Sequence, residues 1–160
     1  VSGVSGPEVA VRDFGLASVP PEEMTAEVSL EASQVCPFPA EASAIDYQLM
    51  PNGDDTAKGV LVAAMHSLIA DKTQLARDAR LKCVLMDVDG LALLNCFQAL
   101  TDGGQETEAG GTVAILNVGN AHTTLAIMGK DGRPFIRDMT YAGDEIIRQI
   151  VADNGAQLKP

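Results

Sequence analysis

The sequence predicts an α/β protein organised in more than one unit. Short apolar runs with strand spacing alternate with helix-spaced ones along the chain. The stretch TDGGQETEAGG at 101–111 is acidic, rich in glycine and poor in side chains that can pack, and so reads as a boundary. Beyond it, three strand-like runs lead into one more amphipathic helix pattern. At 160 residues the chain can bury a real core, as one ordinary domain or as a small domain with part of another.

Val9 and Val11 alternate with Ala10 and Arg12, a short strand. Pro20 and Pro21 followed by Glu22 and Glu23 suit a helix start, where proline needs no donor partner and carboxylates meet unpaired amides. A helix over 21–35 follows, with Met24, Val28, Ala32 and Val35 on one face, stopped by Pro37 and Pro39. Ile45, Tyr47 and Leu49 alternate with polar residues and predict a strand with one wet face; Pro51-Asn52-Gly53-Asp54 then turns the chain. The nearly continuous apolar run 59–65 predicts an inner strand covered on both faces.

A helix is expected over 68–79, with Ser67 as its cap and Leu68, Ala76 and Ala79 on its less polar side. Next comes a strand over 83–88, then Asp89 as cap of a helix over 90–100 with the stripe Leu93, Phe97 and Leu100. After the boundary, strands are predicted at 112–118, 124–128 and 134–139. Lys130-Asp131-Gly132 turns the second hairpin, because Asp-Gly readily takes the backbone signs that match sheet twist. A closing helix over 144–152 carries Ile146, Ile147, Ile150 and Val151 on its apolar side.

A formal net charge of -11 repels nucleic acid and anionic lipid at long range, so neither is expected as a partner. Cys36, Cys83 and Cys96 are odd in number with no close pair, which suggests neither a disulfide framework nor a zinc knuckle and fits a reducing compartment. Cys83 and Cys96 read as core residues, and Cys36 as a small apolar contact before Pro37. No apolar run reaches the roughly 20 residues a membrane helix needs, and no secretory signal pattern occurs. The chain opens on Val1 and stops at Pro160 just after a helical pattern, which reads as a piece of a longer protein.

The stretch VAILNVGNAHTTLAIM at 113–128 raises the main functional question. Gly119 permits a sharp turn and close approach, while Asn117, Asn120, His122, Thr123 and Thr124 surround the bend with donors and acceptors. Successive amides and a threonine hydroxyl can hold a phosphate; a hairpin turn with side-chain hydrogen bonds is the competing reading. Asp87 and Asp89 at a strand end invite a metal reading, but a helix cap and an ordinary hydrogen-bonded carboxylate explain them more simply. His66 lacks an assignable nucleophile, and His122 reads as a loop hydrogen-bonding residue.

With the DG hairpin, FIRDMTYAGDEI and the helix that follows, this loop resembles the second phosphate loop of the actin-like ATPases, most closely the PilM family of type IV pilus assembly proteins, related to FtsA. The upstream text VSGPEVAVRDF, EVSLEASQVCPFPAEASAIDYQLM, GVLVAAMHSLI and LKCVLMDVDGLALLNCF resembles that family's small inserted domain and its return into the first large domain. The resemblance implies an actin-like (ribonuclease H-like) fragment with a small inserted α+β domain. It divides the chain into the insert at 1–82, the return strand and helix at 83–104, a linker at 105–111, and the incomplete start of the second large domain at 112–160.

The resemblance further implies a nucleotide-side wall made by Asn117, Gly119, Thr123, Thr124 and Gly143, with no catalytic or metal residue assigned. Asn117 stands where the family pattern has aspartate, and a neutral amide attracts a magnesium-bound water less than a carboxylate does. The first phosphate loop and the adenosine site are not recognisable in these residues. ATP and magnesium are therefore expected only in a longer parent, and hydrolysis is the less favoured expectation there. The implied role is a cytoplasmic scaffold of the pilus inner-membrane platform, reaching the membrane through partners rather than by insertion. Its implied partners are the cytoplasmic tail of a PilN-type membrane protein and other platform proteins. An active actin-like or sugar-kinase-like phosphotransferase and an FtsA-like divisome adaptor are the alternatives.

Overall fold

The computed structural model describes residues 1–17, 19–50, 57–101 and 112–155. In chain order the elements are β1 (Ser2–Val4), β2 (Val9–Leu16), α1 (Met24–Val35), a 3-10 turn (Ala40–Ala42), β3 (Ser43–Leu49), β4 (Ala57–Met65), α2 (His66–Asp78) and β5 (Met86–Val88). There follow α3 (Asp89–Thr101), β6 (Val113–Val118), β7 (Thr123–Met128), β8 (Pro134–Met139) and α4 (Gly143–Asn154).

The expected inner strand is the middle of an antiparallel sheet ordered β2-β4-β3, with Val11 opposite Val62 and Tyr47 opposite Leu61. Its two faces serve two cores. Leu61 packs with Phe14 and with Met24, Val28 and Ala32 of α1, so the apolar stripe read from 21–35 meets the sheet as expected. Val60 and Val11 belong instead to the core that also holds Val4, Val88, Leu94, Ala126 and Ile136. An apolar run without alternation was needed because both faces of β4 lose water. Gly59 sits where an added Cβ would meet the Gln48 carbonyl oxygen and the Phe14 ring, so close packing excludes any side chain there.

Several expectations are corrected. The helix at 21–35 starts only at Met24, because the Glu23 amide closes a turn on the Pro20 carbonyl at 3.0 Å. Ser67 does not cap α2: the helix begins at His66, and the Ser67 hydroxyl donates to Glu8 Oε1 at 3.1 Å. The strand at 83–88 shrinks to Met86–Val88, because its parallel partner β1 offers only Ser2–Val4. Asp89 is the first residue of α3 rather than a residue before it, and its carboxylate accepts from the Ser5 hydroxyl at 2.6 Å.

The predicted stripe of α3 is rotated. Leu94 is 3% exposed while Leu100 is 73% exposed, and Gly90 lies against Ile136 of β8. The same rotation turns Cys96 to solvent, and Cys83 is only half-buried, so neither is the core residue expected. The turn at 51–54 and the boundary at 102–111 lie outside the described residues. The apolar side expected of α4 is there, but Ile146, Ile147 and Ile150 are 37%, 42% and 54% exposed. Among the described residues no helix is long and apolar enough to cross a membrane.

The third sheet is the meander β6-β7-β8. Its second turn uses Gly132 at φ +75, a conformation open to glycine at little cost. Asp131 closes that turn by accepting from the Arg133 amide at 3.2 Å and from Arg133 Nε at 2.6 Å. The Arg133 side chain, then its amide, holds the Asp131 carboxyl below the usual carboxylate range.

Because the folded value is lowered, this contribution is present above the unfolded carboxylate range and is lost as pH falls through the folded value. It is small, since both side chains are about half exposed. An NMR titration is expected to place the Asp131 midpoint below that of an unpaired aspartate, and Arg133→Gln should return it toward the ordinary value. An unchanged midpoint in that variant would remove Arg133 as the cause.

Candidate functional site

The phosphate-type residues gather around the turn between β6 and β7. Val118 pairs with Thr123, and the Gly119 amide donates to the His122 carbonyl at 3.0 Å, closing a tight bend over 119–122. An added Cβ on Gly119 would come within 2.7 Å of that carbonyl oxygen, so glycine is required by close approach. The bend is braced by the start of α4. The Gly143 amide donates to the Gly119 carbonyl and the Asp144 amide to the Asn120 carbonyl, each at 2.9 Å, and Asn120 Nδ2 donates to Asp144 Oδ2 at 3.1 Å.

All five residues expected at the site therefore lie on this one hairpin and its brace, but four of them are already engaged. The Thr123 hydroxyl, in a residue 5% exposed, donates to the Tyr141 carbonyl at 2.7 Å. The Thr124 hydroxyl, in a residue 4% exposed, donates to Asp138 Oδ1 at 2.6 Å. The Gly119 and Gly143 amides are spent on the bend itself.

What remains for an anion includes the exposed Asn117 side chain and the amides of Asn120, Ala121 and His122, which donate to nothing among the described residues. These donors fit part of a phosphate. The carboxylate opposite Thr124, Asp138, accepts on both oxygens, from the Gly6 amide and from the Thr124 hydroxyl. Asp87 and Asp89 act separately: Asp87 Oδ1 accepts from the Val88 amide at 2.8 Å, whereas Asp89 holds Ser5. Burial raises the Cys36 thiol above its ordinary value, against a smaller opposing effect of Arg12, so it is not an activated nucleophile.

A second feature was not read from the sequence at all. A groove of about 650 Å³ lies between the β2-β4-β3 sheet, β5, α3 and the β7–β8 turn. Val62, Leu91, Leu94 and Met128 give it an apolar lining, while Asp46 and Asp87 stand on its two sides. Neither carboxylate has an ion-pair partner among the described residues. Among the described residues β3 is an edge strand of its sheet and β5 pairs only with β1. The spacing of one segment cannot reveal a groove whose walls come from 46–50, 60–62, 86–95 and 128–134.

Comparison with known proteins decides the family. The family described as type IV pilus assembly protein PilM matches residues 4–159. The chain belongs to the PilM family. Its fold agrees with that membership, because a solved structure titled PilM-PilN type IV pilus biogenesis complex superposes with a TM-score of 0.74. Identity is 24%; the match covers 94% of this chain and 45% of that one. The chain thus spans less than half the length of the PilM relative, and its architecture is the mixed α/β, actin-like type of PilM. Membership favours the pilus reading over the divisome and phosphotransferase alternatives.

Proposed function

We propose that this chain is part of a cytoplasmic type IV pilus assembly scaffold, peripheral to the inner membrane, whose groove receives the cytoplasmic tail of a PilN-type partner. The single observation carrying the assignment is the groove at β3, β5, α3 and the β7–β8 turn. Its volume lies within the range of roughly 300–1,000 Å³ common for binding clefts. Two strand edges unpaired among the described residues, beside an apolar lining, suit an extended segment, which gains main-chain hydrogen bonds from the edge and specificity from the pockets. Asp46, Asp87 and a net charge of -11 favour a tail with basic residues. The PilM relative was solved as a complex with PilN, which supports the choice of partner.

The test is binding of a fluorescein-labelled synthetic tail of the PilN-type partner to the intact protein by anisotropy. Saturable binding that weakens with salt is expected. No binding by folded protein would overturn the assignment.

Nucleotide belongs to this proposal only through the intact protein. ATP would meet the exposed Asn117 amide and the 120–122 amides, with Gly119, Thr123, Thr124 and Gly143 shaping the bend rather than donating to phosphate. Asn117→Asp is expected to tighten magnesium-dependent ATP binding by restoring a carboxylate at the strand end. Equilibrium binding with and without magnesium measures this. Strong magnesium-dependent turnover by the unmodified protein would contradict the view that Asn117 has weakened catalysis.

A further inference from the structure

We propose that Asp138 is a positioning residue that clasps the β1–β2 turn to the anion-facing bend, so that one carboxylate sets the shape of the loop at 119–124. The proposal rests on the reading of that loop as a phosphate wall, but its first test does not. Asp138 lies on β8 directly across from Thr124, which in turn pairs with Asn117. In an antiparallel sheet, directly opposed residues share a face, so Asn117, Thr124 and Asp138 form one row. Asp138 Oδ1 accepts from the Thr124 hydroxyl at 2.6 Å. Its Oδ2 accepts from the Gly6 amide at 2.6 Å, across 132 positions of sequence.

Gly6 is buried and has φ +102, so the turn depends on a residue that tolerates this backbone and points its amide at β8. Beside it, Ser5 donates to Asp89 at the start of α3, and His122 Nε2 lies 3.8 Å from where a Cβ of Gly6 would stand. The turn is thus held at consecutive residues, by Asp89 through Ser5 and by Asp138 through Gly6. A carboxylate with both oxygens accepting is the right group for this, since charge-assisted hydrogen bonds are shorter and stronger than neutral ones. Losing it leaves the Gly6 amide and the Thr124 hydroxyl, both buried, without an acceptor. The row then frees Asn117's neighbour, and the bend loses its fixed relation to the first part of the chain.

Hydrogen exchange on the intact protein tests the clasp, comparing wild type, Asp138→Ala and Thr124→Val. Asp138→Ala is expected to speed exchange at least tenfold at the hydrogen-bonded amides within 5–9 and 119–124, among them Gly6, Val9 and Gly119, with peptides in β4 unchanged. Thr124→Val removes one arm only, so 119–124 should loosen while 5–9 stays protected. Unchanged exchange at both segments, or loss spread evenly over the chain, would overturn the proposal; if Asp138→Ala fails to fold, the Thr124→Val pattern decides. A second arm measures binding of magnesium-ADP. Weaker binding in both variants extends the clasp to phosphate positioning. Failure of wild type to bind, with the exchange pattern as expected, overturns the nucleotide reading and leaves the clasp standing.

Discussion

Leu61→Ala is expected to lower the stability of the intact protein by roughly 2–5 kcal/mol, the range for removing a fully buried leucine. Leu61 is 0% exposed and sits mid-strand in β4, with β2 and β3 hydrogen-bonded on either side. Those strands cannot close in to fill a void, because their backbone spacing is fixed by the ladder. Above the sheet, Met24, Val28 and Ala32 come from one rigid helix, so α1 can collapse only as a body. Both conditions push the cost toward the upper part of the range.

A urea titration should show the midpoint falling with little change in slope, which separates lost stability from an altered denatured state. Leu61→Met conserves volume and should cost less than about 1.5 kcal/mol. A loss under about 1 kcal/mol for the alanine variant would mean that this core is not the main support of the sheet.

Asn95→Trp is expected to weaken binding of the PilN-type tail at least thirtyfold, about 2 kcal/mol, the scale of an interface hot spot. Asn95 lines the groove from α3, yet its side chain is exposed and outside both cores. A large ring there occupies the volume the tail needs without disturbing Leu94, its buried neighbour. Unchanged tail affinity in a folded variant would place the partner elsewhere. Asp46→Lys is the companion change, at an exposed position on the opposite wall. It should slow association and reduce the salt dependence, since rim charges act chiefly on encounter.

Much of the chain was legible because its residues face one decision each. The run at 59–65 has no polar position to turn outward, so it had to be an inner strand, and β4 is one. Met24, Val28 and Ala32 repeat at helical spacing between polar residues, and the same face is buried. The hairpin at 129–133 carries its own turn chemistry in Asp131 and Gly132. For α3, LALLNCFQAL is apolar on nearly every side, so periodicity admits several faces. Contact between Gly90 and Ile136 of β8 selects one, and Leu100 and Cys96 are left outside.

Taken alone, the sequence determined the α/β class, most element positions and the family resemblance, and that resemblance implied the set Asn117, Gly119, Thr123, Thr124 and Gly143. The class and the element positions follow from spacing within short segments, where side-chain period and backbone preference act locally. Only the tertiary structure decided how those groups are spent and what else surrounds them. It committed Thr123 to Tyr141 and Thr124 to Asp138, joined Asp138 to Gly6, and opened a groove between strands distant in sequence. The physical reason is that a donor's partner, like a cavity's wall, is set by which surfaces pack together, and residues 132 positions apart leave no periodic trace of that in the chain.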